Sequence, residues 1–205
     1  MVVTKIEPIT KTRFRIYADE NEKPLFVLYK GELSRYHIAV GEEISGDVYE
    51  EIYRNVIVKR AKARALHLLN DMGRTEAQLR RKLTTGGYTE EAAEEAIAYV
   101  KSFGYLNDWE YARSFIEGRK NRKSRRELGA ALCQKGISRE EAERALEEFY
   151  DTEDSEAAVR ELLRKKKFDL KTADYVQTQK MAGYLMRKGF RYDEIRRVLE
   201  VNEAF

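Results

Sequence analysis

The sequence predicts a mainly α-helical fold made of three tandem three-helix modules of helix-turn-helix type, preceded by a small β-hairpin or three-stranded sheet. Three observations favour this fold. The first 47 residues contain short segments rich in β-branched and aromatic residues, as strands do. From residue 48 onward, apolar residues recur at spacings of three and four. A motif built around a glycine occurs three times along the helical part.

The N-terminal strands are predicted over residues 2–9, 12–19 and 24–30, where apolar and polar residues alternate imperfectly. The polar residues 19–24 form a turn-rich connection between the second and third segments. A sheet this small is marginal on its own. We therefore expect it to pack on the helices that follow, with Gly41 and Gly46 marking the boundary.

The helical part is predicted to begin at Asp47, which suits the N-cap position. The spacing of Val48, Ile52 and Val56, continued over residues 63–69, indicates one long helix or two abutting ones. No proline follows Pro24, so that helix breaker is absent from the rest of the chain.

The repeat is anchored on Gly87, Gly136 and Gly189, which are 49 and 53 residues apart. Apolar residues match at five offsets from these glycines. Eight residues before the glycine the three repeats have Leu79, Leu128 and Met181, and four residues before it they have Leu83, Leu132 and Leu185. One residue after the glycine they have Tyr88, Ile137 and Phe190. Six residues after it they have Ala93, Ala142 and Ile195, and ten residues after it Ile97, Leu146 and Leu199. Matching offsets over two full periods indicate a duplicated structural unit.

Each repeat has the pattern of a helix, a glycine turn and a second helix. The glycine suits the left-handed position after the first helix, and Thr89 and Ser138 suit the N-caps of the next helices. Upstream helices at 61–69, 110–116 and 155–163 complete the three modules. We expect a β extension at 1–47 and helical modules at 48–108, 109–152 and 153–205.

Charge is strongly segregated along the chain, although the formal net charge is only +3. Residues 113–139 hold nine basic and two acidic side chains, a local charge of +7. Residues 140–161 hold two basic and ten acidic side chains, a local charge of −8. Such segregation favours a polyanionic partner at one surface, although two solvated helix faces would show the same pattern.

Several classes of function find no support in the sequence. No apolar run reaches the length of a membrane helix, and the N-terminus lacks the pattern of a signal peptide. Phosphate-binding glycine motifs and metal-ligand spacings are absent, so we expect no enzyme activity and no cofactor. His37 and His67 are isolated, and Cys133 is expected to be a small buried residue. A single cysteine fits a reducing, cytoplasmic location.

Basic residues recur near the same end of each module and are the candidate binding residues. They are Arg80, Arg81, Lys82, Arg119, Lys120, Arg122, Lys123, Arg125, Arg126, Lys165, Lys166, Lys167, Arg187 and Lys188. The densest cluster, 119–126, concentrates like charges with no benefit to folding, which a phosphate or acidic-protein partner would explain. Lys165 to Lys167 could instead be a solvated linker. Trp109, Tyr111 and Phe115 could stack on bases, but their helical spacing favours core packing.

The sequence resembles the RecX family of bacterial regulators of the RecA recombinase. The resemblance is carried by LRRKLTTGGY at 79–88, AIAYVKSFGYLNDWEYARSFI at 96–116 and LGAALCQKGI at 128–137, and it covers about residues 60–200. The segment GYLND at 104–108, followed by Tyr111 and Ala112, is the most specific part. Asn107 stands where the family usually carries aspartate.

The resemblance implies tandem three-helix repeats, binding to the RecA filament on single-stranded DNA, and reduced ATP hydrolysis, strand exchange and coprotease activity in DNA repair and the SOS response. It implies no enzyme chemistry; we expect a monomer with supporting contacts to single-stranded DNA and none to membranes. The alternative is a helix-turn-helix protein that binds duplex DNA without RecA. The acidic second helices, 90–100 and 139–149, would repel DNA and oppose it. A purely structural adaptor would leave the basic cluster unexplained.

Overall fold

The N-terminal segments form a three-stranded antiparallel sheet in the order β1-β2-β3, as predicted. The computed structural model describes residues 1–19 and 21–200, so part of the predicted 19–24 connection and of the third module lies outside the described residues. The strands are β1 (Val3–Pro8), β2 (Arg13–Ala18) and β3 (Phe26–Tyr29). Residue Val3 pairs with Ala18, and Phe14 pairs with Leu28.

Eleven α-helices within the described residues follow, with one π-helical segment. They are α1 (Lys30–Arg35), α2 (Gly46–Ile52), the π-helical segment Tyr53–Val58, α3 (Lys59–Asp71), α4 (Glu76–Thr85), α5 (Glu90–Ser102), α6 (Asp108–Glu117), α7 (Arg125–Gln134), α8 (Arg139–Phe149), α9 (Thr152–Lys165), α10 (Tyr175–Lys188) and α11 (Tyr192–Glu200). The chain divides into two compact units between Asn107 and Asp108. The short helix α1 was not predicted, because its six residues are too few to show a period of 3.6.

The first unit buries the sheet and the first module in one core. Ile16, Phe26 and Leu28 of the sheet share that core with Leu79 and Leu83 of α4. Polar contacts reinforce the packing. The Arg13 guanidinium donates to the carbonyl of Gly86 at 3.1 Å, and the Arg60 guanidinium donates to the carbonyl of Val27 at 3.1 Å. The sheet therefore gains from the helices the burial that three short strands lack alone.

The start of the helical part differs from the prediction at one residue. Ser45, not Asp47, is the N-cap of α2, because the Ser45 hydroxyl accepts a hydrogen bond from the Val48 amide at 3.3 Å. Asp47 lies in the first turn of α2, where the positive end of the helix dipole stabilises its negative charge. From Gly46 to Asp71 the helix continues through the π-helical segment without a break, so of the two predicted alternatives the structure has one long helix.

The repeat is confirmed in the geometry of its turns. Gly87, Gly136 and Gly189 have φ values of 95°, 94° and 98°, in the left-handed region that favours glycine. Thr89 and Ser138 cap α5 and α8 as predicted. Twelve of the fifteen matching apolar side chains are buried, and Met181, Tyr88 and Leu199 are partly buried.

The second unit has two cores, one for each of its modules. The first gathers residues of α6, α7 and α8, including Ile116, Leu128 and Leu146. The other gathers residues of α9, α10 and α11, including Leu185 and Ile195. Cys133 is exposed, which corrects the expectation that it is buried. Its neighbour Leu132 takes the inward position of α7, so the side chain one residue further along the helix turns about 100° away.

Candidate functional site

The basic segment before α7 is an ordered turn that ends in a buried serine. The amides of Arg119 and Lys120 both donate to the carbonyl of Ile116 at 2.8 Å, which closes α6. Ser124 is fully buried, and its hydroxyl accepts a hydrogen bond from the Glu127 amide at 3.2 Å as the N-cap of α7. The backbone thus fixes where the surrounding cations project.

The N-terminal end of α7 meets the C-terminal end of α10 within the second unit. The Ser124 hydroxyl donates to the carbonyl of Lys188 at 2.7 Å, and the Arg126 guanidinium donates to the carbonyl of Arg187 at 2.6 Å. Two of the four carbonyls that a helix end leaves without an intrahelical partner are satisfied in this way. Basic residues that are some 60 positions apart in sequence are therefore neighbours.

Five of the predicted cations lie at or beside this contact, and two of them flank the carboxylate of Glu127. Glu127 Oε1 lies 3.6 Å from the Nζ atoms of both Lys123 and Lys188. A cleft of about 440 Å³ runs alongside, and Tyr184 lines it. Lys166 Nζ lies 5.0 Å from the centroid of the Tyr184 ring. We name the set Lys123, Arg126, Lys166, Arg187 and Lys188 the junction cluster.

The junction cluster has the chemistry of a polyanion site. One carboxylate offsets one of five positive charges, and Lys123, Lys166 and Arg187 are exposed. The aromatic Tyr184 ring adds a flat surface between cations. Phosphate groups or a row of acidic side chains would complement such a surface.

A second basic group surrounds Phe115 on α6. The Arg119 guanidinium lies 4.2 Å from the centroid of the Phe115 ring, and Lys135 Nζ lies 5.3 Å from it. Tyr111 stacks on Phe115 at 6.3 Å. Trp109, Tyr111 and Phe115 all pack against the core of the second module, as their spacing predicted.

Several predicted binding residues are paired within the fold. Arg80 joins Glu76 of its own helix at 2.9 Å to Glu94 of α5. Lys120 lies 3.0 Å from Asp154, and Arg125 donates to the carbonyl of Leu146 at 3.1 Å. Lys165 lies 3.5 Å from Glu161, and Lys123 and Lys188 of the junction cluster share Glu127 as described above.

The remaining predicted residues are exposed cations with other surroundings. Arg81 and Lys82 lie on α4 in the first unit, and Arg122 lies in the turn before α7. Lys167 has a φ of 52° and ends α9 in the left-handed conformation that glycines adopt elsewhere in the chain. The predicted residues therefore divide between two units, and the structure groups only part of them.

Two residues of these groups were not among the predicted binding residues. Lys135 reaches Phe115 from the end of α7, and Tyr184 reaches the junction cluster from the middle of α10. Their contacts are created by tertiary packing, so sequence spacing carries no trace of them. The pair Phe115 and Arg119, four residues apart on one helix, is the signal that could have indicated the second group.

The second helices of the first two modules present acidic surfaces. Glu90, Glu91, Glu94 and Glu95 of α5 are exposed. So are Glu140, Glu141, Glu143, Glu147 and Glu148 of α8. A helix with such a surface is unsuited to the major groove of duplex DNA, whose backbone it would repel.

Within residues 1–19 and 21–200, the structure holds no group of three or more His, Cys, Asp or Glu side chains placed to bind a metal ion. Over the same described part of the chain, none of the helices combines the length and apolar character needed to cross a membrane.

Three family descriptions match successive parts of the chain. "RecX, first three-helix domain" matches residues 61–99, "RecX, second three-helix domain" matches 107–146, and "RecX, third three-helix domain" matches 153–199. The matches coincide with the three repeats seen in the structure.

Curated relatives carry the same family name. "Regulatory protein RecX" of Caldanaerobacter subterraneus subsp. tengcongensis is 33% identical over 165 residues, which cover 80% of this chain and 81% of the relative. "Regulatory protein RecX" of Clostridium botulinum (strain Eklund 17B / Type B) is 25% identical over 202 residues, which cover 97% of this chain and 94% of the relative.

Solved structures share the fold. "Crystal structure of regulatory protein RecX" has a TM-score of 0.62 and 24% identity, and covers 98% of this chain and 99% of that chain. "Crystal structure of RecX from Lactobacillus salivarius" has the same TM-score and identity, and covers 73% of this chain and 98% of that chain.

Proposed function

The chain belongs to the RecX family of regulatory proteins, and from this premise we propose that it binds the filament that RecA forms on single-stranded DNA and inhibits it. Bound protein would lower RecA's ATP hydrolysis, strand exchange and coprotease activity. It would act as a monomer in the cytoplasm, where RecA and DNA meet, and without enzyme chemistry of its own.

The observation that carries the proposal is the junction cluster. Five cations from three segments of the second unit lie at or beside the contact between α7 and α10; Glu127 pairs with Lys123 and Lys188, while Lys123, Lys166 and Arg187 remain exposed. A RecA filament offers complementary chemistry in the phosphates of its DNA and in acidic side chains of its subunits. Electrostatic attraction of this kind also raises the association rate.

The test is ATP hydrolysis by RecA on single-stranded DNA, titrated with the parent protein and two variants. The cluster variant carries Lys123→Ala, Lys166→Ala and Arg187→Ala, whose side chains are all exposed. The matched control carries Lys11→Ala, Lys23→Ala and Lys30→Ala, which remove the same charge from exposed positions in the first unit.

We expect the parent to inhibit hydrolysis, and the cluster variant to need at least about tenfold more protein, because three charge contacts are lost. The control should stay within about twofold of the parent, since its cations lie outside the junction cluster. Absence of inhibition by the parent at stoichiometric excess would refute action on RecA. Equal loss in both variants would refute the junction cluster as the binding site.

A further inference from the structure

Two exposed aromatic rings of the first unit, in contact with a third that is half-buried, form a group that the proposed binding site does not use. The rings of Tyr99 and Phe103 are 5.0 Å apart and edge to face, and those of Phe103 and Tyr105 are stacked 5.9 Å apart. Phe103 is 58% exposed and Tyr105 is 60% exposed. We name Tyr99, Phe103 and Tyr105 the aromatic platform.

The backbone holds the aromatic platform in place. Helix α5 ends in a turn in which the Gly104 amide donates to the carbonyl of Lys101 at 2.9 Å and the Tyr105 amide donates to that of Val100 at 3.0 Å. Gly104 supplies the φ of 73° that this turn requires. Leu106, two residues after Gly104, is buried and anchors the segment in the core. The rings are therefore presented by a fixed turn.

Exposure of these rings has no explanation in the fold. Large aromatic side chains stabilise a protein by being buried, and adjacent exposed ones indicate an interaction site. A cavity of about 770 Å³ lies beside the rings, with Leu66 and Leu69 of α3 in its wall and His67 and Asn70 among its polar lining residues.

The surroundings are basic. Helix α3 contains Lys59, Arg60, Lys62 and Arg64. Arg60 is engaged by Glu32 and by the carbonyl of Val27, and the acidic residue Asp71 lies 3.7 Å from His67 at the end of the helix, so Lys59 and Lys62 are the cations relevant here. Lys62 Nζ lies 5.2 Å from the centroid of the Tyr99 ring. Lys59 and Lys62 precede Leu66 and Leu69 at helical spacing, so they extend the wall of the cavity along the same side of α3. Cations thus adjoin aromatic rings on one surface.

We propose that the aromatic platform stacks the bases of single-stranded DNA, while Lys59 and Lys62 contact its phosphates. Rings with open faces next to cations are the arrangement that binds unpaired bases without regard to sequence. In duplex DNA the bases already stack on each other, so open rings on a protein surface offer them little. The proposal deepens the proposed function and rests on it for the source of the DNA, but the binding itself requires no RecA.

The test measures binding of the full chain to a fluorescent oligothymidylate by anisotropy, without RecA. A second oligonucleotide of the same length carries abasic sites throughout its central part, so it keeps the phosphates and lacks the bases there. The platform variant is Phe103→Ala with Tyr105→Ala. The control is Tyr175→Ala with Val176→Ala, which removes two exposed apolar side chains from the second unit.

We expect the platform variant to bind oligothymidylate at least about tenfold more weakly than the parent, because base stacking on two rings is lost. The control should bind as the parent does. The parent should prefer the intact oligonucleotide to the abasic one by a similar factor, and the platform variant should bind the two equally. Lys62→Ala should instead weaken binding to both and lower its salt dependence.

Three results would overturn the proposal: no binding of the parent to either oligonucleotide, equal binding of the parent to both, or unchanged binding by a platform variant whose circular dichroism matches the parent. Loss of RecA inhibition with unchanged DNA binding would assign the rings to a protein contact and likewise overturn it. Base-dependent binding through the rings in a protein without effect on RecA would support this inference while refuting the proposed function.

Discussion

The Ser124 hydroxyl donates a 2.7 Å hydrogen bond to the carbonyl of Lys188, so one side chain serves the start of α7 and the end of α10. The same oxygen accepts from the Glu127 amide at 3.2 Å. Ser124 therefore couples the second and third modules within their unit. It also places the cations of α7 next to those of α10, so the junction cluster depends on this residue.

Ser124→Ala should lower the free energy of unfolding by about 2 to 3 kcal/mol, because it removes a buried N-cap hydroxyl and leaves the partly buried carbonyl of Lys188 without its donor. Urea unfolding followed by the fluorescence of Trp109 would measure it. Trp109 is the single tryptophan and packs against Phe149 in the second module. Ser138→Ala is the matched control. It removes the exposed N-cap of α8 and should cost about 1 kcal/mol. Equal losses would show that the bond to Lys188 adds no stability.

Gly189 is restricted twice, by its backbone and by its neighbours. Its φ is 98°, and a Cβ atom there would lie 2.8 Å from Arg126 Cβ and 2.9 Å from the Ser124 hydroxyl. Gly189→Ala should therefore cost roughly 2 to 5 kcal/mol. Gly189→Asn separates the two causes, since asparagine tolerates the left-handed region but carries the same Cβ. We expect asparagine to be as disruptive as alanine in urea unfolding. Recovery with asparagine would mean that backbone strain alone makes glycine necessary.

Arg80 and Arg81 are neighbours in sequence, but we expect only the substitution of Arg80 to change the stability of the protein. Arg80 joins Glu76 and Glu94, so Arg80→Ala should destabilise the first unit by about 0.5 to 1 kcal/mol, a value reduced by the partial exposure of these groups. Arg81 is exposed, and Arg81→Ala should leave the melting temperature unchanged. Thermal unfolding by circular dichroism measures both. A larger effect at Arg81 would contradict the assignment of Arg80 to the fold.

Because of Tyr150, we expect the folded protein to lose stability at alkaline pH. Burial raises the pKa of Tyr150 to about 12, and its hydroxyl donates to the carbonyl of Lys123 at 3.1 Å. An unfolded tyrosine titrates near about 10, so this contribution is complete below that pH and is lost as the pH rises toward 12. Tyr150→Phe should be less stable than the parent at neutral pH, and the difference should shrink above pH 10. A difference independent of pH in urea unfolding would contradict the raised pKa.

The fold was predictable because residues close together in sequence determine each of its repeated units. Glycines at fixed offsets from apolar residues define a turn and two helices wherever they occur, and Leu83, Leu132 and Leu185 duly lie in equivalent buried positions. Ser45 was missed as the N-cap because Asp47 has similar capping chemistry. Cys133 was misplaced because one step along a short helix separates an inward from an outward side chain.

The candidate site was predictable only as a list of cations. Composition shows where basic residues concentrate, but not which carboxylate reaches them. Arg80 and Lys120 were indistinguishable in sequence from Arg187, yet the first two are paired within the fold and Arg187 lines the cleft. Tyr105 lies inside the most specific family segment and Phe103 directly before it, and their exposure could not be read from spacing.

Removing the charge of Glu127 should strengthen binding at the junction cluster. Its carboxylate lies 3.6 Å from both Lys123 and Lys188 and holds them near the protein surface. Glu127→Gln keeps the size of the side chain and removes its charge. The backbone amide that Ser124 caps is unaffected, so α7 should form as before.

Glu127→Gln should bind a preformed RecA filament about three- to tenfold more tightly than the parent, because two lysines lose their internal partner. Should the freed charge act on DNA phosphates, log Kd should depend more steeply on log salt, by about one charge. Fluorescence anisotropy of labelled protein over a range of salt concentrations measures both. Glu143→Gln on α8 makes the same change in net charge next to Arg139. An equal gain there would show that affinity follows the overall charge of the protein and that the junction cluster is not the site; a larger gain at Glu127 would locate it.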